Sequence, residues 1–211
     1  MEILSNFVVL EGGDGCGTTT QAGLLTERMK TFQKPVLYST FEPTNGKIGS
    51  IVRAALKNEI PLKPETLCML FAADRNEHLH GAGGIIEYTQ KGYLVVSDRY
   101  VLSSLVYQGI ECGDDLPLFL NGRFPAPELT IFLEIKPEIA LERAKSRSSL
   151  EIYEHLDFQK KVHEKYHSAI EVYRNSGARV EIIDASKSAN EIAENIWKVL
   201  CRHLRILTTE D

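Results

Sequence analysis

The chain is expected to fold as a doubly wound α/β domain, a five-stranded parallel sheet between two helical layers (α/β/α). Two observations carry this. Short apolar, β-rich runs alternate along the chain with longer helical patterns. Each run is nearly continuous rather than alternating, and each leads into polar residues, as strands buried on both faces do. The runs are Phe7–Leu10, Pro35–Thr40, Tyr93–Ser97, Leu129–Ile135 and Arg179–Ile183. The segments between them are long enough for helical crossovers: Thr18–Phe32, Ile48–Leu56, Pro64–His80, Ser103–Tyr107, Pro137–Ala144, Leu156–Asn175 and Ala189–Leu204. In such sheets ligands sit beyond the carboxyl ends of the strands. The unusual residues of this chain collect there.

Length and composition narrow the class. The 211 residues fit one domain, with 43% hydrophobic and 25% charged residues. The 24 Lys+Arg against 29 Asp+Glu give −5, which disfavours a broad basic surface for polymeric nucleic acid. No apolar run approaches the length of a membrane span, and Met1–Leu10 lacks the basic start of a signal peptide. Cys16, Cys68, Cys112 and Cys201 are scattered without a C-x-x-C, so disulfide and zinc scaffolds read poorly and a cytoplasmic setting is expected. Thr208–Asp211 is expected to fray.

The first strand feeds the most informative stretch. Gly12, Gly13, Asp14, Gly15, Cys16, Gly17, Thr18 and Thr19 form a glycine-rich loop opening a helix. Glycines let such a loop curl with its N–H groups inward, making an anion nest at a helix N-terminus. The spacing Gly12-x4-Gly17-Thr18-Thr19 fits the phosphate-binding P-loop except that Thr18 stands where lysine belongs. Thr18 brings a hydroxyl but no charge to the β- and γ-phosphates. Thr19 keeps the hydroxyl that a magnesium ion requires.

Further motifs follow: Glu42-Pro43-Thr44; Leu70-Phe71-Ala72-Ala73-Asp74-Arg75; and Asp98-Arg99-Tyr100 running through Ser103-Ser104 to Tyr107-Gln108-Gly109. Arg143 to Arg147 then precede Glu154 and Phe158. Together these resemble the thymidylate kinases, P-loop nucleoside monophosphate kinases, from Glu11 to about Tyr173. The resemblance implies a single domain, usually a homodimer, with ATP as donor, dTMP as acceptor and Mg²⁺ as cofactor. Residue by residue it implies the following roles. Gly12 to Thr19 cradle ATP. Thr19 and Asp98 serve the metal. Arg99 holds the acceptor phosphate, a task suited to a guanidinium fork. Asp14 lies near the sugar 3′-hydroxyl. Phe71 stacks on thymine and Arg75 bonds a base carbonyl. Ser104 lies near the base edge, Tyr107 packs on the sugar, and Gln108 and Glu42 belong to the acceptor site. Arg143 and Arg147 lie in a lid at about residues 143–155 and reach the transferring phosphoryl.

Three departures remove positive charge: Thr18 for lysine, Phe41 where relatives carry arginine, and Ile152 where the lid carries another. Lys47, Arg53, Arg75, Arg99, Arg143, Lys145 and Arg147 are candidates to compensate. A nucleotide-binding protein with little turnover therefore stays open beside a dTMP kinase, as does a kinase for another monophosphate. Two patterns read as bland. His78 is taken for a surface residue, and His163-x3-His167 for a charged helix surface. Cys16, beside loop N–H groups, is expected to have a lowered pKa and a thiol sensitive to oxidation. Trp197 reads as core or dimer packing.

Overall fold

The computed structural model describes residues 2–32, 35–144 and 156–207. Along the chain these form β1 (Ile3–Glu11), α1 (Thr18–Met29), β2 (Leu37–Phe41), α2 (Lys47–Leu56), α3 (Pro64–His80), α4 (Ile85–Gln90) and β3 (Leu94–Asp98). There follow α5 (Val101–Cys112), α6 (Asp115–Asn121), β4 (Ala126–Glu134), α7 (Pro137–Ala144), α8 (Leu156–Asn175), β5 (Val180–Asp184) and α9 (Ala189–His203). The strands pair in the order β2-β3-β1-β4-β5, every pair parallel. All five expected strands are present. Lys145, Arg147, Ile152 and most of the expected lid lie outside the described residues, as does Thr208–Asp211. No helix among the described residues is long and apolar enough to cross a membrane.

The alternation of strand side chains sorts the core into two layers. In β1, Phe7 and Val9 face one side, packing with residues of α2, α3, α5 and α8. Val8 and Leu10 face the other, with α1 and α9. Burying each such side chain contributes roughly 1.5–3 kcal/mol. The same parity aims Glu11, the last residue of β1, at the α5–α8 side. In β4 Phe132 faces that layer, and Leu129, Ile131 and Leu133 the opposite one.

Helix ends follow local chemistry. α9 opens with a capping box: the Ser188 hydroxyl accepts from the Glu191 N–H, and the Glu191 carboxylate accepts from the Ser188 N–H. Its buried stripe is Ile192, Ile196 and Leu200. Trp197 lies beside this stripe, partly buried, its ring near Phe32 and under the Arg28 guanidinium at 4.4 Å. α1 differs: Gly17 at its N-cap adopts φ 100° and offers no side chain to the first-turn N–H groups. No N-cap side chain takes them.

Candidate functional site

The cleft lies where β1 and β3 end. It has a volume of about 660 Å³, within the range of small-ligand sites. At one end the wall is the glycine loop and the start of α1, from Asp14 to Gly23. The other end is formed by Glu42, Phe71, Arg75, Ser104, Tyr107 and Gln108. Asp98, Arg99 and Ser103 lie between the two.

The loop fits tightly against its surroundings. Gly15 has φ 83°, and a Cβ there would meet the Ala140 carbonyl at 2.2 Å. Gly12 has no room either, with Cys16 Sγ at 2.5 Å from a built Cβ. The Cys16 thiol is thus packed inside the loop, and burial pushes its pKa up to about 11. This overturns the expectation of an activated thiol: desolvation outweighs the N–H groups.

At the centre, Thr19 Oγ1 donates to Asp98 Oδ2 at 2.5 Å. Asp98 Oδ1 is buried and has no hydrogen-bond partner among the described residues. A buried carboxylate oxygen left open beside a threonine hydroxyl suits a hard divalent cation such as magnesium. The residues present fit that ion.

Arg99 has φ 71°, unusual for a bulky side chain, and its N–H donates to the Leu10 carbonyl at 2.9 Å. This turn swings its guanidinium across to the loop. Nη2 donates to Asp14 Oδ1 at 2.6 Å, and Nη1 to the Gly12 carbonyl at 3.0 Å. The Tyr107 ring lies 5.3 Å from the guanidinium. Asp14 is held from the other side by Gln159 of α8, whose amide donates to Asp14 Oδ2 at 2.8 Å.

The acceptor end is built on a buried ion pair. Arg75 Nε and Nη2 donate to Glu42 Oε2 at 2.9 and 2.7 Å. Nη2 also donates to Ser104 Oγ at 3.0 Å, and Nη1 to Asn121 Oδ1. Glu42 Oε1 lies 3.1 Å from His78 Nδ1, and His78 Nε2 is 2.6 Å from Thr40 Oγ1. His78 is therefore buried rather than exposed, because one turn beyond Arg75 on α3 brings it under the same carboxylate. Asp74 takes the Thr44 N–H and hydroxyl, both at 2.7 Å, and so anchors the loop after β2. Phe71 is partly buried and lines the cleft.

Among the described residues, the cations lining the cleft are Arg53, Arg75 and Arg99. Arg53 Nη1 donates to the Pro43 carbonyl at 2.8 Å and to that of Thr44. Lys47 is exposed and lies outside the lining. Arg143, in the last turn of α7, is also outside it. Its guanidinium donates to the carbonyls of Ala185 (2.7 Å), Ser186 (3.2 Å) and Lys187 (3.4 Å) in the turn between β5 and α9.

Sequence reasoning gave Glu11 no role. The fold makes it the hub beneath the site. Oε1 accepts from the Tyr100 N–H at 2.9 Å and the Ser103 N–H at 3.1 Å. Oε2 accepts from Ser103 Oγ at 2.6 Å and Tyr166 OH at 3.1 Å. Burial raises its pKa from 4.5 to about 7, and the Ser103 hydroxyl, the Arg99 charge and the two N–H groups limit the rise. The sign follows from linkage. The folded carboxyl holds its proton more tightly than the unfolded one. Its contribution to stability is full below about pH 4.5 and is lost as pH rises to about 7, a change of about 3 kcal/mol. An E11Q variant is expected to lack this slope. Urea unfolding of both proteins between pH 4.5 and 7.5 should show the variant gaining on the wild type as pH rises. Parallel curves would remove Glu11 from the network.

A family model described as thymidylate kinase matches residues 10–196. A Treponema pallidum protein named as a thymidylate kinase is 39% identical over 206 residues, spanning 97% of each chain. A Methanococcus maripaludis protein of the same name is 40% identical over 202 residues, 93% of this chain and 96% of the relative. A third, from Pyrobaculum aerophilum, is 34% identical over 200 residues, 94% of this chain and 98% of its own.

Proposed function

The chain belongs to the thymidylate kinase family, and from that membership we propose that it transfers the γ-phosphoryl group of ATP to dTMP, giving dTDP and ADP. The observation that carries the reading is the centre of the cleft. The Thr19–Asp98 pair, with its open carboxylate oxygen, lies between an anion nest and an arginine-lined pocket. Two nucleotides entering from opposite ends would meet there with their phosphates.

The loop from Gly12 to Thr19 cradles the donor phosphates, with Gly15, Gly17, Thr18 and Thr19 lining the cleft. Thr19 and Asp98 would hold magnesium, which draws electron density from those phosphates when bound. Arg99 takes the acceptor phosphate in its fork, and Asp14 keeps that fork in place. Phe71 offers a face to the base, and Arg75 and Ser104, tied together, set the polar edge. Glu42 holds Arg75 in position, Gln108 closes the base pocket, and Tyr107 packs where the sugar lies. The attacking oxygen is already an anion, so no general base is needed. Its bond to phosphorus forms as the bond to the ADP oxygen breaks, and rate comes from positioning and charge. For Arg143 to reach the transferring group it must release the Ala185–Lys187 carbonyls. A homodimer fits the exposed Met69 of α3 and the exposed Leu118 and Phe119 of α6.

A panel of monophosphates tests the acceptor. With ATP and magnesium, a coupled ADP assay is expected to give kcat/KM for dTMP at least about tenfold above dGMP and UMP, one well-made pocket contact being worth about 1.4 kcal/mol or more. Preference for another base would move the chain to a different acceptor.

A further inference from the structure

α8 places His163 and His167 one turn apart, each next to a buried residue of its stripe, Val162 and Tyr166. Glu134 ends β4, and its parity with Phe132 turns it toward the same helix. The Phe132 and His167 rings are 6.3 Å apart, which brings the strand end under the histidines. His167 Nε2 lies 3.2 Å from Glu134 Oε1. The His163 and His167 rings meet edge-on at 5.0 Å. One ligating atom from each of the three residues falls within 4.8 Å of the others.

The spacing His163-x3-His167 reads as charged surface on its own. The third donor comes from the sheet, and sequence gives no sign of it. Two imidazoles and one carboxylate form a recurrent tetrahedral donor set with the fourth position open. With bonds of ~2.0–2.2 Å, neighbouring ligand atoms of a tetrahedral site stand ~3.3 Å apart. The His167–Glu134 pair already meets that separation, and the site requires partly buried His163 to move its ring in from within 4.8 Å. Regular secondary structure carries all three residues. Glu134 is in register with Asp184 of β5, and its carbonyl accepts from the Ala185 N–H at 2.8 Å. The histidines ride on one helix.

We propose that Glu134, His163 and His167 bind a divalent transition-metal ion of the zinc class, distinct from the magnesium of the phosphoryl site. Imidazole donors select such ions, whereas magnesium prefers an all-oxygen octahedron. The ion joins α8 to the end of β4. His163 lies one turn beyond Gln159, which holds the Asp14 carboxylate and accepts from the Asp14 N–H at 3.3 Å. Occupancy therefore braces the helix that supports the glycine loop.

The test uses the metal-free, tag-free full chain. Zinc is titrated in competition with a chromophoric chelator of micromolar affinity, and cobalt absorption reports the donors. The expected result is one equivalent bound, a rise in Tm, and a cobalt spectrum without a thiolate charge-transfer band. H163A, H167A and E134Q should each weaken binding at least about tenfold. Far-UV circular dichroism checks that the variants fold. No retained equivalent, unchanged binding in the H163A/H167A double variant, or a thiolate band would each overturn the site.

Discussion

Replacing Arg99 by methionine is expected to lower kcat/KM for dTMP by between two and three orders of magnitude. The substitution removes the fork proposed for the acceptor phosphate and leaves Asp14 without its cation. Truncating one partner of a hydrogen-bonded charge pair costs about 2–5 kcal/mol, and each factor of ten in rate is worth about 1.4 kcal/mol. Arg99→Lys should recover only part of the loss, because a single ammonium restores charge but cannot reach Asp14, the Gly12 carbonyl and a phosphate together. Arg99 and Asp14 keep about a fifth of their side-chain surface exposed, so most of the effect should fall on turnover rather than on stability. The coupled assay reads the first quantity and urea unfolding the second. A loss of less than about tenfold in kcat/KM would take the acceptor phosphate away from Arg99.

Arg75→Met should act chiefly on the fold. The Arg75 and Glu42 side chains are 1% and 3% exposed. Removing the guanidinium leaves the buried carboxylate with His78 as its one remaining side-chain hydrogen-bond partner among the described residues, and takes a donor from Ser104 and from Asn121. Breaking a buried pair in this way costs roughly 3–5 kcal/mol. In a domain of this size that corresponds to a fall in Tm of about 10 °C. The E42Q/R75M double variant should cost less than the two single changes added, because neither then leaves an uncompensated charge. Calorimetry of the three variants measures the coupling. Strict additivity would mean that the pair contributes nothing as a pair.

The sheet was legible because five nearly continuous apolar runs can only be buried strands. Their ends were less so. β1 begins at Ile3 rather than Phe7, since Asn6 has φ 59° and the pairing with β4 shifts register there, which breaks the pattern. α4 and α6 were missed because six or seven residues, one run following a glycine cluster and the other holding Pro117, do not complete an amphipathic period. Within the site, residues at strand ends and in the glycine loop announce themselves through local spacing. Asn121, Gln159 and Tyr166 do not. Each acts on a motif through a contact that only the folded chain creates, Gln159 meeting Asp14 from 145 positions away. Cys16 misled for a related reason: its neighbours in sequence are polar N–H groups, but its surroundings in space are dry.

The proposed transfer is tested most directly by ³¹P NMR of the purified chain with ATP, magnesium and dTMP. Resonances of dTDP and ADP should grow in equal amounts while the dTMP signal falls, and an Asp98→Ala variant should slow this sharply. A spectrum in which dTMP persists, whether ATP stays intact or is merely hydrolysed to ADP and phosphate, would contradict transfer between two nucleotides at the ends of β1 and β3.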